Sequence, residues 1–513
     1  MSPLDATPKP NGTKPEAAII GAGFGGTALA IRLQAAGFQV TLYDNRDKPG
    51  GRAYVYEQEG FTFDAGPTVI TDPDCLHQLF EVAGRETSDY VELVPVTPGY
   101  RLCWEDGTRF DYVSDQAELM RQIEQINPDD LEGYKRFHEY TKEVYQEGYV
   151  KLGTVPFLNF KDMMAAAPQL VKLQSYRSVY ARLGDFIKDE KLRRAFSFHT
   201  LLVGGNPFES SSIYHLVHAL QLEGGIWFAK GGTGALVKAL IKLFEDIGGT
   251  LKLSTEIKEI QSAGDRVTGV VADGVVHNVD LVASNADVVH TYSKLLGGHA
   301  RGQSYGASLA RKRHSMSLFV TYFGLKSPPP NIAHHSVLFG QRYRELISDI
   351  FHGDELADDS SLYLHSPYVT DQSLAPEGCA SYYVLSPVPH LGRADIDWQE
   401  EGPKYRDKIL AYLEKHYIPN LSRDLVTTHH ITPHTFRDVM NSHNGSAFSI
   451  EPILTQSAWF RPHNRDDKIS NMYIVGAGTH PGAGIPGVVG SAKATAGLCV
   501  EDFAPMLAAQ AAE

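Results

Sequence analysis

Glycines and one carboxylate near the amino terminus have the types and spacing needed to hold a nucleotide. The turn GAGFGG contains Gly21, Gly23, Gly25 and Gly26, and Asp44 follows further along the chain. In a dinucleotide-binding turn the first glycine permits the tight bend, the second lets the backbone approach a pyrophosphate, and the last allows a helix to pack closely on a strand. A carboxylate at the position of Asp44 would accept hydrogen bonds from ribose hydroxyls. These residues therefore predict a dinucleotide site.

A second glycine-rich loop near the carboxyl terminus would let the backbone lie close to a flat ring. The segment GAGTHPGAGIPG includes Gly476, Gly478 and Gly487, and Val488 follows it. Glycines leave no side chain in the way of such an approach. We expect a helix to begin near Val488 and to direct its positive end at the ring, which would favour extra negative charge there.

Two side chains are candidates for taking up a proton in such a site. Asp162 lies in an apolar segment predicted to be helical, and His480 lies within the second glycine loop. Alternatively, Asp162 is simply a charge at a helix surface or helix N-terminus. The alternative for His480 is a role in packing or hydrogen bonding. No metal site is predicted, because three further histidines lack nearby cysteines or a supporting acid: His199, His215 and His218.

The elements that must position these residues follow an α/β pattern. A short apolar strand, Ala17 to Ile20, leads into the first glycine turn, a helix and a second strand, Val40 to Tyr43. Strand and helix patterns of this kind return twice later in the chain. The sequence therefore predicts a Rossmann-like nucleotide-binding domain assembled from three segments, residues 16–75, 230–290 and 470–513.

Two other regions interrupt this domain. Residues 76–114 and 291–469 are predicted to form a mixed-sheet substrate domain, whose clearest strands are Ser317 to Leu325, Ser381 to Ser386 and Ile431 to Phe436. Residues 115–229 consist almost entirely of helical patterns, with helices expected at Asp115 to Ile126, Asp129 to Tyr149, Asp162 to Tyr180 and Arg182 to Phe196. This region therefore predicts a helical insertion that acts as a lid.

One segment of the insertion has the composition of a surface helix that contacts a membrane. Residues 155–171 combine aromatic residues and methionines with Lys161, which is typical of a helix that dips into lipid headgroups. The alternative is that these apolar side chains belong to the protein core. We expect membrane contact once the resemblance described below is considered.

Composition indicates a globular protein with more than one hydrophobic core. The chain has 513 residues, 42% of them hydrophobic and 21% charged. Its net charge of −14, without a long basic run, argues against a nucleic-acid partner. Residues 1–15 are polar and are predicted to be a disordered leader rather than a signal peptide, and no transmembrane helix is predicted. Four scattered cysteines favour a reducing cytoplasm.

Two stretches beyond the first strand pair make the nucleotide prediction more specific. The runs DKPGGRAY at 47–54 and FDAGPTVI at 63–70 contain Gly50, Gly51, Arg52, Gly66 and Pro67. The glycine pair followed by arginine resembles the second fingerprint of flavoproteins of the amine oxidase and carotene desaturase group. The resemblance implies FAD as cofactor, with Arg52 near its phosphates and ribose. Members of that group often have glutamate at the position of Asp44, so the ribose contact is either direct or made through water.

Four more motifs extend the likeness over nearly everything after the leader: LLVGGNPF at 201–208, GGTGALV at 231–237, SNADVV at 284–289 and GAGTHPGAGIPG at 476–487. Together they resemble bacterial-type phytoene desaturases. The resemblance implies a peripheral enzyme on the cytoplasmic face of the membrane that introduces double bonds into phytoene, a forty-carbon hydrocarbon. The product would be neurosporene, lycopene or a further desaturated carotene.

The same resemblance implies the chemistry and the partners. A hydride would pass from the substrate to flavin N5 while a neighbouring carbon loses a proton. The expected partners are phytoene, partly desaturated carotenes and the membrane lipid surface. Oxygen or a quinone is the expected electron acceptor, and reoxidation linked to NAD stays open although only one dinucleotide fingerprint is present. A carotene isomerase, an amine oxidase-type flavoenzyme and a non-enzymatic FAD-binding protein stay open as alternatives.

Overall fold

The computed structural model describes residues 14–511. Nineteen strands occur within this range, and we number them in chain order: β1 (Glu16–Ile20), β2 (Gln39–Tyr43), β3 (Val55–Gln58), β4 (Phe61–Asp64), β5 (Leu93–Pro95), β6 (Tyr100–Trp104), β7 (Arg109–Tyr112), β8 (Trp227–Ala229), β9 (Thr250–Lys252), β10 (Ile257–Ala263), β11 (Arg266–Ala272), β12 (Val275–Asn278), β13 (Leu281–Ser284), β14 (Ser317–Leu325), β15 (His335–Phe339), β16 (Leu362–His365), β17 (Ala380–Val388), β18 (Leu425–Ile431) and β19 (Met472–Ile474).

The described range also contains seventeen α-helices: α1 (Phe24–Ala35), α2 (Pro73–Glu81), α3 (Gln116–Ile126), α4 (Leu131–Tyr145), α5 (Phe160–Lys172), α6 (Val179–Leu183), α7 (Glu190–Ser197), α8 (Leu216–Gly224), α9 (Gly232–Asp246), α10 (Val288–His290), α11 (Ala300–Ala310), α12 (Tyr343–His352), α13 (Trp398–His416), α14 (Leu421–Asp424), α15 (Pro433–Asp438), α16 (Ile485–Asp502) and α17 (Ala504–Ala511). Two short π-helical segments, Gln146–Lys151 and Thr291–Leu295, follow α4 and α10.

A five-stranded parallel sheet holds the glycine turn. Its strand order is β19-β13-β1-β2-β9, and every pairing in it is parallel. Its strands come from three separated parts of the chain, so the predicted Rossmann-like fold assembled from three segments is confirmed. Helices α1, α9 and α16 share one hydrophobic core with this sheet. Because both faces are covered, the strands are continuous apolar runs.

A seven-stranded sheet forms the second layer, in the order β18-β14-β17-β16-β15-β6-β7. Its pairings are antiparallel except for β15 with β6, which makes it the predicted mixed sheet. The prediction of a strand at Ile431 to Phe436 was wrong, since β18 ends at Ile431 and α15 begins at Pro433. Proline suits the first position of a helix, and the Thr432 side chain caps α15.

The segment 115–229 is largely helical, and its helices pack against the seven-stranded sheet. The predicted helix from Asp162 to Tyr180 is instead two helices, α5 and α6. Between them Gln174 has a φ of 55°, which interrupts the helix, and Ser178 caps the start of α6 through its side chain. Helical residues such as Phe137 share one core cluster with sheet residues such as Phe339.

The predicted domain boundaries stay predictions, and most of the predicted leader 1–15 lies outside the described residues. Within residues 14–511, no helix combines the length and the apolar character needed to cross a bilayer.

Candidate active site

The turn between β1 and α1 has room for glycine alone at two positions. Gly21 has a φ of 96°, a backbone conformation that favours glycine. A Cβ atom on Gly26 would lie 2.0 Å from the carbonyl oxygen of Gly21, closer than real Cβ contacts. The turn is also tied to the next strand, because the Gly21 N–H donates to the Tyr43 carbonyl at 2.7 Å. The helix N-terminus is therefore held directly at the carboxyl edge of the parallel sheet.

Three chain segments meet at Asn285. A Cβ atom on Gly25 would lie 2.6 Å from the Asn285 Oδ1 and 3.1 Å from the Gly476 Cα. The Asn285 Nδ2 donates to the Gly21 carbonyl at 3.2 Å. Sequence reasoning did not single out Asn285, although it lies within the SNADVV motif. This one side chain joins the first glycine turn, the end of β13 and the second glycine loop.

Asp44 ends β2 and faces the same turn. Its Oδ2 accepts a hydrogen bond from the Ala22 N–H at 2.7 Å, and its Oδ1 accepts one from the Arg46 N–H at 2.9 Å. Burial raises the pKa of Asp44, and the two N–H donors partly offset that rise. The carboxylate is thus fixed at the edge of the turn, where the spacing of the sequence motif predicted it.

The second fingerprint packs against the first. The Gly50 N–H donates to the Ala22 carbonyl at 2.8 Å. The Arg52 guanidinium is buried, its Nη2 donates to the Ser442 Oγ at 2.9 Å, and its Nε has no partner among the described residues. Burial lowers the pKa of Arg52, while the Asp287 carboxylate raises it. A buried cation with an unused donor is suited to bind an anion.

A cavity of about 540 Å³ extends from these residues into the space between the two large sheets. Most predicted site residues line it: Gly21, Gly23, Gly25, Asp44, Gly50, Gly51, Arg52, Gly66, Pro67, His480, Gly487 and Val488. Three predicted glycines do not line it and instead pack behind the wall: Gly26, Gly476 and Gly478. Their role in this structure is close packing of the backbone.

Comparison with known proteins identifies the family of this fold. The family model for flavin containing amine oxidoreductase matches residues 24–500. The chain belongs to this family. A lycopene-forming phytoene desaturase from Pantoea ananas is 62% identical, over 94% of this chain and 99% of that protein. A neurosporene-forming phytoene desaturase from Rhodobacter capsulatus is 42% identical, over 94% and 93%.

Solved structures share this fold at low sequence identity. An oxidoreductase from Methanosarcina mazei has a TM-score of 0.62 at 16% identity, covering 95% of this chain and all of that one. A cyclohexylamine oxidase from Brevibacterium oxydans has a TM-score of 0.61 at 16% identity, covering 96% of this chain and all of that one. These likenesses show the fold alone.

As a member of the flavin containing amine oxidoreductase family, the chain is an oxidoreductase that uses FAD, and the residues present fit this cofactor. Helix α1 starts at Phe24 with no side-chain cap and no acid in its first turn, so its first N–H groups are free to bind phosphate. Gly21, Gly23 and Gly25 would hold the pyrophosphate, and Arg52 would neutralise it. When bound, FAD supplies a two-electron acceptor.

The second glycine loop leads into α16, which begins at Ile485, three residues before the predicted position. Gly484 precedes this helix with a φ of 92°, and neither a side-chain cap nor an acid occupies its first turn. Gly487 and Val488 line the cavity from this first turn. The positive end of the helix is therefore available to a group in the cavity, as the sequence predicted.

The two predicted proton acceptors occupy different places. Asp162 lies in the first turn of α5, where its carboxylate accepts a hydrogen bond from the Asn159 N–H at 3.3 Å, and it does not line the cavity. This geometry favours a helix-capping role. His480 does line the cavity; its Nε2 donates to the Leu152 carbonyl at 2.9 Å, and its ring packs edge-on against the buried Phe157. Burial lowers the pKa of His480 to about 4.

Away from the parallel sheet the cavity wall is mainly apolar. Its lining includes Leu201, Met316, Leu318, Phe339, Ile347 and Leu385. Among the described residues, the carboxylates that line the cavity are Asp44, Glu256 and Asp287, which follow β2, β9 and β13. All three lie at the carboxyl edge of the parallel sheet. The remaining wall therefore offers no carboxylate to a charged amine.

Proposed function

We propose that the chain is an FAD-dependent phytoene desaturase of carotenoid biosynthesis that converts phytoene to lycopene. The observation that carries the proposal is 62% identity to a lycopene-forming desaturase over almost the full length of both proteins. Relatives that form neurosporene are 42% identical, which favours lycopene as the end product. Partly desaturated carotenes are then the intermediates of the reaction sequence.

The apolar wall supports a hydrocarbon substrate. Phytoene has neither charge nor hydrogen-bonding groups, so its binding must come from burial of apolar surface, at about 25 cal/mol per Å². Residues such as Leu318, Phe339 and Leu385 supply this surface. The protein's contribution to catalysis is to position the chain beside the cofactor and to exclude water.

Helix α5 supports the proposal that substrate arrives from a membrane. Met163 and Leu170 face the cavity, while Phe160, Met164 and Val171 are 51%, 56% and 62% exposed. Helix α5 thus has one apolar face that lines the cavity and another apolar face that is exposed on the outer surface. We propose that this outer face lies on the lipid surface at the cytoplasmic side of the membrane, so that carotenes pass directly from bilayer to cavity.

Oxygen or a quinone is the proposed electron acceptor, and a lipid-bound position would place the enzyme beside membrane quinones. The function is tested by incubating the purified holoenzyme with phytoene-loaded liposomes and separating the carotenes by chromatography. We expect lycopene to accumulate through less desaturated intermediates. Phytoene that is only isomerised, or that is unchanged while benzylamine or putrescine is oxidised, would contradict the proposal.

A further inference from the structure

One wall of the cavity has three hydroxyl groups in contact with one another. The Thr68 Oγ1 lies 2.6 Å from the Tyr383 hydroxyl and 3.2 Å from the Tyr363 hydroxyl. All three residues line the cavity. Thr68 also directly follows Gly66 and Pro67, which are predicted to contact the cofactor. Polar groups able to move a proton therefore lie next to the segment that would hold FAD.

Three buried imidazoles lie behind Tyr363, and we call His334, His335 and His365 the histidine cluster. The Tyr363 hydroxyl is 2.7 Å from the His335 Nδ1, and the His365 Nδ1 is 3.4 Å from that same nitrogen. His335 and His365 are direct partners in the register of β15 and β16. The His334 ring lies 4.4 Å from the His335 ring, and its Nδ1 is hydrogen-bonded to the half-buried Thr370 hydroxyl. The histidine cluster thus lies between the cavity hydroxyls and the half-buried Thr370.

The histidine cluster is deeply buried and has unused hydrogen-bonding capacity. Its members are at most 1% exposed, and the Nε2 of each has no partner among the described residues. Burial lowers the pKa of all three, that of His334 to about 3. The rings packed against the cluster belong to Phe228, Tyr100, Tyr363 and Tyr383, so no acid or cation faces it there. Buried polar atoms left without partners in a native protein call for an explanation, and a catalytic role is one such explanation.

Desaturation requires a group that accepts a proton. Forming a double bond from a CH–CH pair removes a hydride and a proton, and the bound cofactor accounts for the hydride. The proton requires an acceptor at a wall from which water is excluded. As the hydride leaves, the developing positive charge acidifies the neighbouring C–H bond, so the proton is released in the same step and a weakly basic, neutral imidazole is sufficient to receive it.

We propose that Tyr363 is the proton acceptor of the desaturation and that His335 acts through it as a positioning residue. The proposal rests on the desaturase function proposed above. The substrate C–H bond breaks and its electron pair becomes the new π bond, while the proton forms an O–H bond on Tyr363. The original Tyr363 proton moves to the His335 Nδ1. The excess proton then remains on the histidine cluster, at His335 or, across the 3.4 Å contact, at the His365 Nδ1.

Two other interpretations are less well supported by the contacts. His480 would take a proton at Nδ1, but its Nε2 is bonded to a backbone carbonyl that cannot pass a proton on. The histidine cluster also has zinc-type ligands, whose ligand atoms lie within 4.8 Å of one another. However, Nδ1 of His335 and Nδ1 of His334 are already bonded to the hydroxyls of Tyr363 and Thr370. A metal bound at those nitrogens would break these bonds, and metal analysis of the purified protein decides whether a metal instead binds at the Nε2 atoms, which have no partner among the described residues.

The first test measures flavin reduction in a single anaerobic turnover with phytoene-loaded liposomes. We expect Tyr363→Phe to slow flavin reduction roughly a hundredfold, as for loss of a general base, with FAD affinity and the half-saturating phytoene concentration unchanged. His335→Asn keeps an acceptor for the Tyr363 hydroxyl but has no basicity, and we expect a similar loss. The matched control is Tyr382→Phe, whose buried hydroxyl lies on the same strand as Tyr383 but outside the cavity lining.

Solvent exchange separates a proton-transfer role from a structural one. Wild type should reduce its flavin more slowly in D₂O, because the exchangeable Tyr363 proton moves in the step, and Tyr363→Phe should lose this difference. An unchanged reduction rate in Tyr363→Phe would overturn the relay. If Tyr363→Phe does not fold, His335→Asn decides by the same criteria. Wild type that fails to reduce its flavin with bound phytoene would instead contradict the desaturase function itself.

A readout independent of turnover tests the state of the histidine cluster. In protein labelled with ¹⁵N-histidine, the cluster signals, assigned by single His→Asn variants, should stay those of neutral imidazole between pH 8 and about pH 5. Metal analysis should find no zinc bound at the histidine cluster of the purified protein. The zinc content of wild type and of the His335→Asn variant should therefore be the same. One zinc per chain that disappears with His335→Asn, or a cluster that is protonated at neutral pH, would overturn the proposal.

Discussion

Replacing Gly26 by alanine should damage FAD binding more than its single added methyl group suggests. The new Cβ atom would lie 2.0 Å from the Gly21 carbonyl oxygen, whereas real Cβ contacts are not shorter than 3.0 Å. The turn and α1 must therefore separate by about 1 Å, and overpacking of this kind costs about 1–3 kcal/mol. The displaced Gly21 oxygen also accepts the hydrogen bond from Asn285 that joins the three segments of the domain.

The expected result is a roughly ten- to hundredfold weaker affinity for FAD, since about 1.4 kcal/mol corresponds to a factor of ten. FAD is titrated into apoprotein by fluorescence quenching, and thermal unfolding is followed in parallel. The control is Gly497→Ala, because Gly497 lies on the exposed side of α16 with nothing within 4 Å of its added Cβ. That variant should bind FAD normally and gain about 0.5–1 kcal/mol of helix stability. Wild-type FAD affinity and wild-type melting temperature in Gly26→Ala would refute the packing argument.

Three further predictions concern the cofactor anion, membrane contact and pH. Arg52→Gln should weaken FAD binding by tenfold or more, because it removes a buried positive charge from the cavity wall; an unchanged dissociation constant in the same titration would exclude a phosphate contact. Met164→Glu should reduce flotation with liposomes, whereas Val275→Glu should not, although both side chains are 56% exposed; equal flotation of the two variants would contradict a membrane-facing α5. Buried Asp64 accepts hydrogen bonds from two backbone N–H groups, and burial raises its pKa to about 6. The folded protein therefore holds this proton up to about pH 6 while the unfolded chain releases it near pH 3.8, so folding should lose about 3 kcal/mol as pH rises through this window. Asp64→Asn should remove that pH dependence in melting curves measured from pH 4 to 8. If the melting temperatures of the two proteins change with pH in the same way, the Asp64 carboxyl does not titrate in this range.

The parts of the fold predicted best were those in which local geometry dictates residue type. Gly21 needs a positive φ and Gly26 has no space for a side chain, so both positions leave a mark in the sequence. Strand β14 was likewise predicted with its observed bounds, because nine consecutive buried positions form one apolar run. By contrast, the polar Leu425–Ile431 strand gave no such run, and its place in the sheet depends on pairing with β14.

Residues that act across long sequence distances were not predictable. Asn285 is a single amide without a periodic pattern, and its importance follows from contacts with Gly21, Gly25 and Gly476. The histidine cluster arises because the register of β15 with β16 brings distant histidines together. Asp162 stays a prediction as a proton acceptor, and its backbone contact fits the alternative of a charge at a helix N-terminus.

The most direct test of the central claim mixes the FAD-loaded protein anaerobically with phytoene-loaded liposomes while absorbance of flavin and of carotene is followed together. Desaturation predicts bleaching of oxidised flavin with the simultaneous appearance of one new double bond in the carotene for each flavin reduced. Flavin that stays oxidised and phytoene that stays unchanged, with binding to the liposomes verified by flotation, would contradict the account.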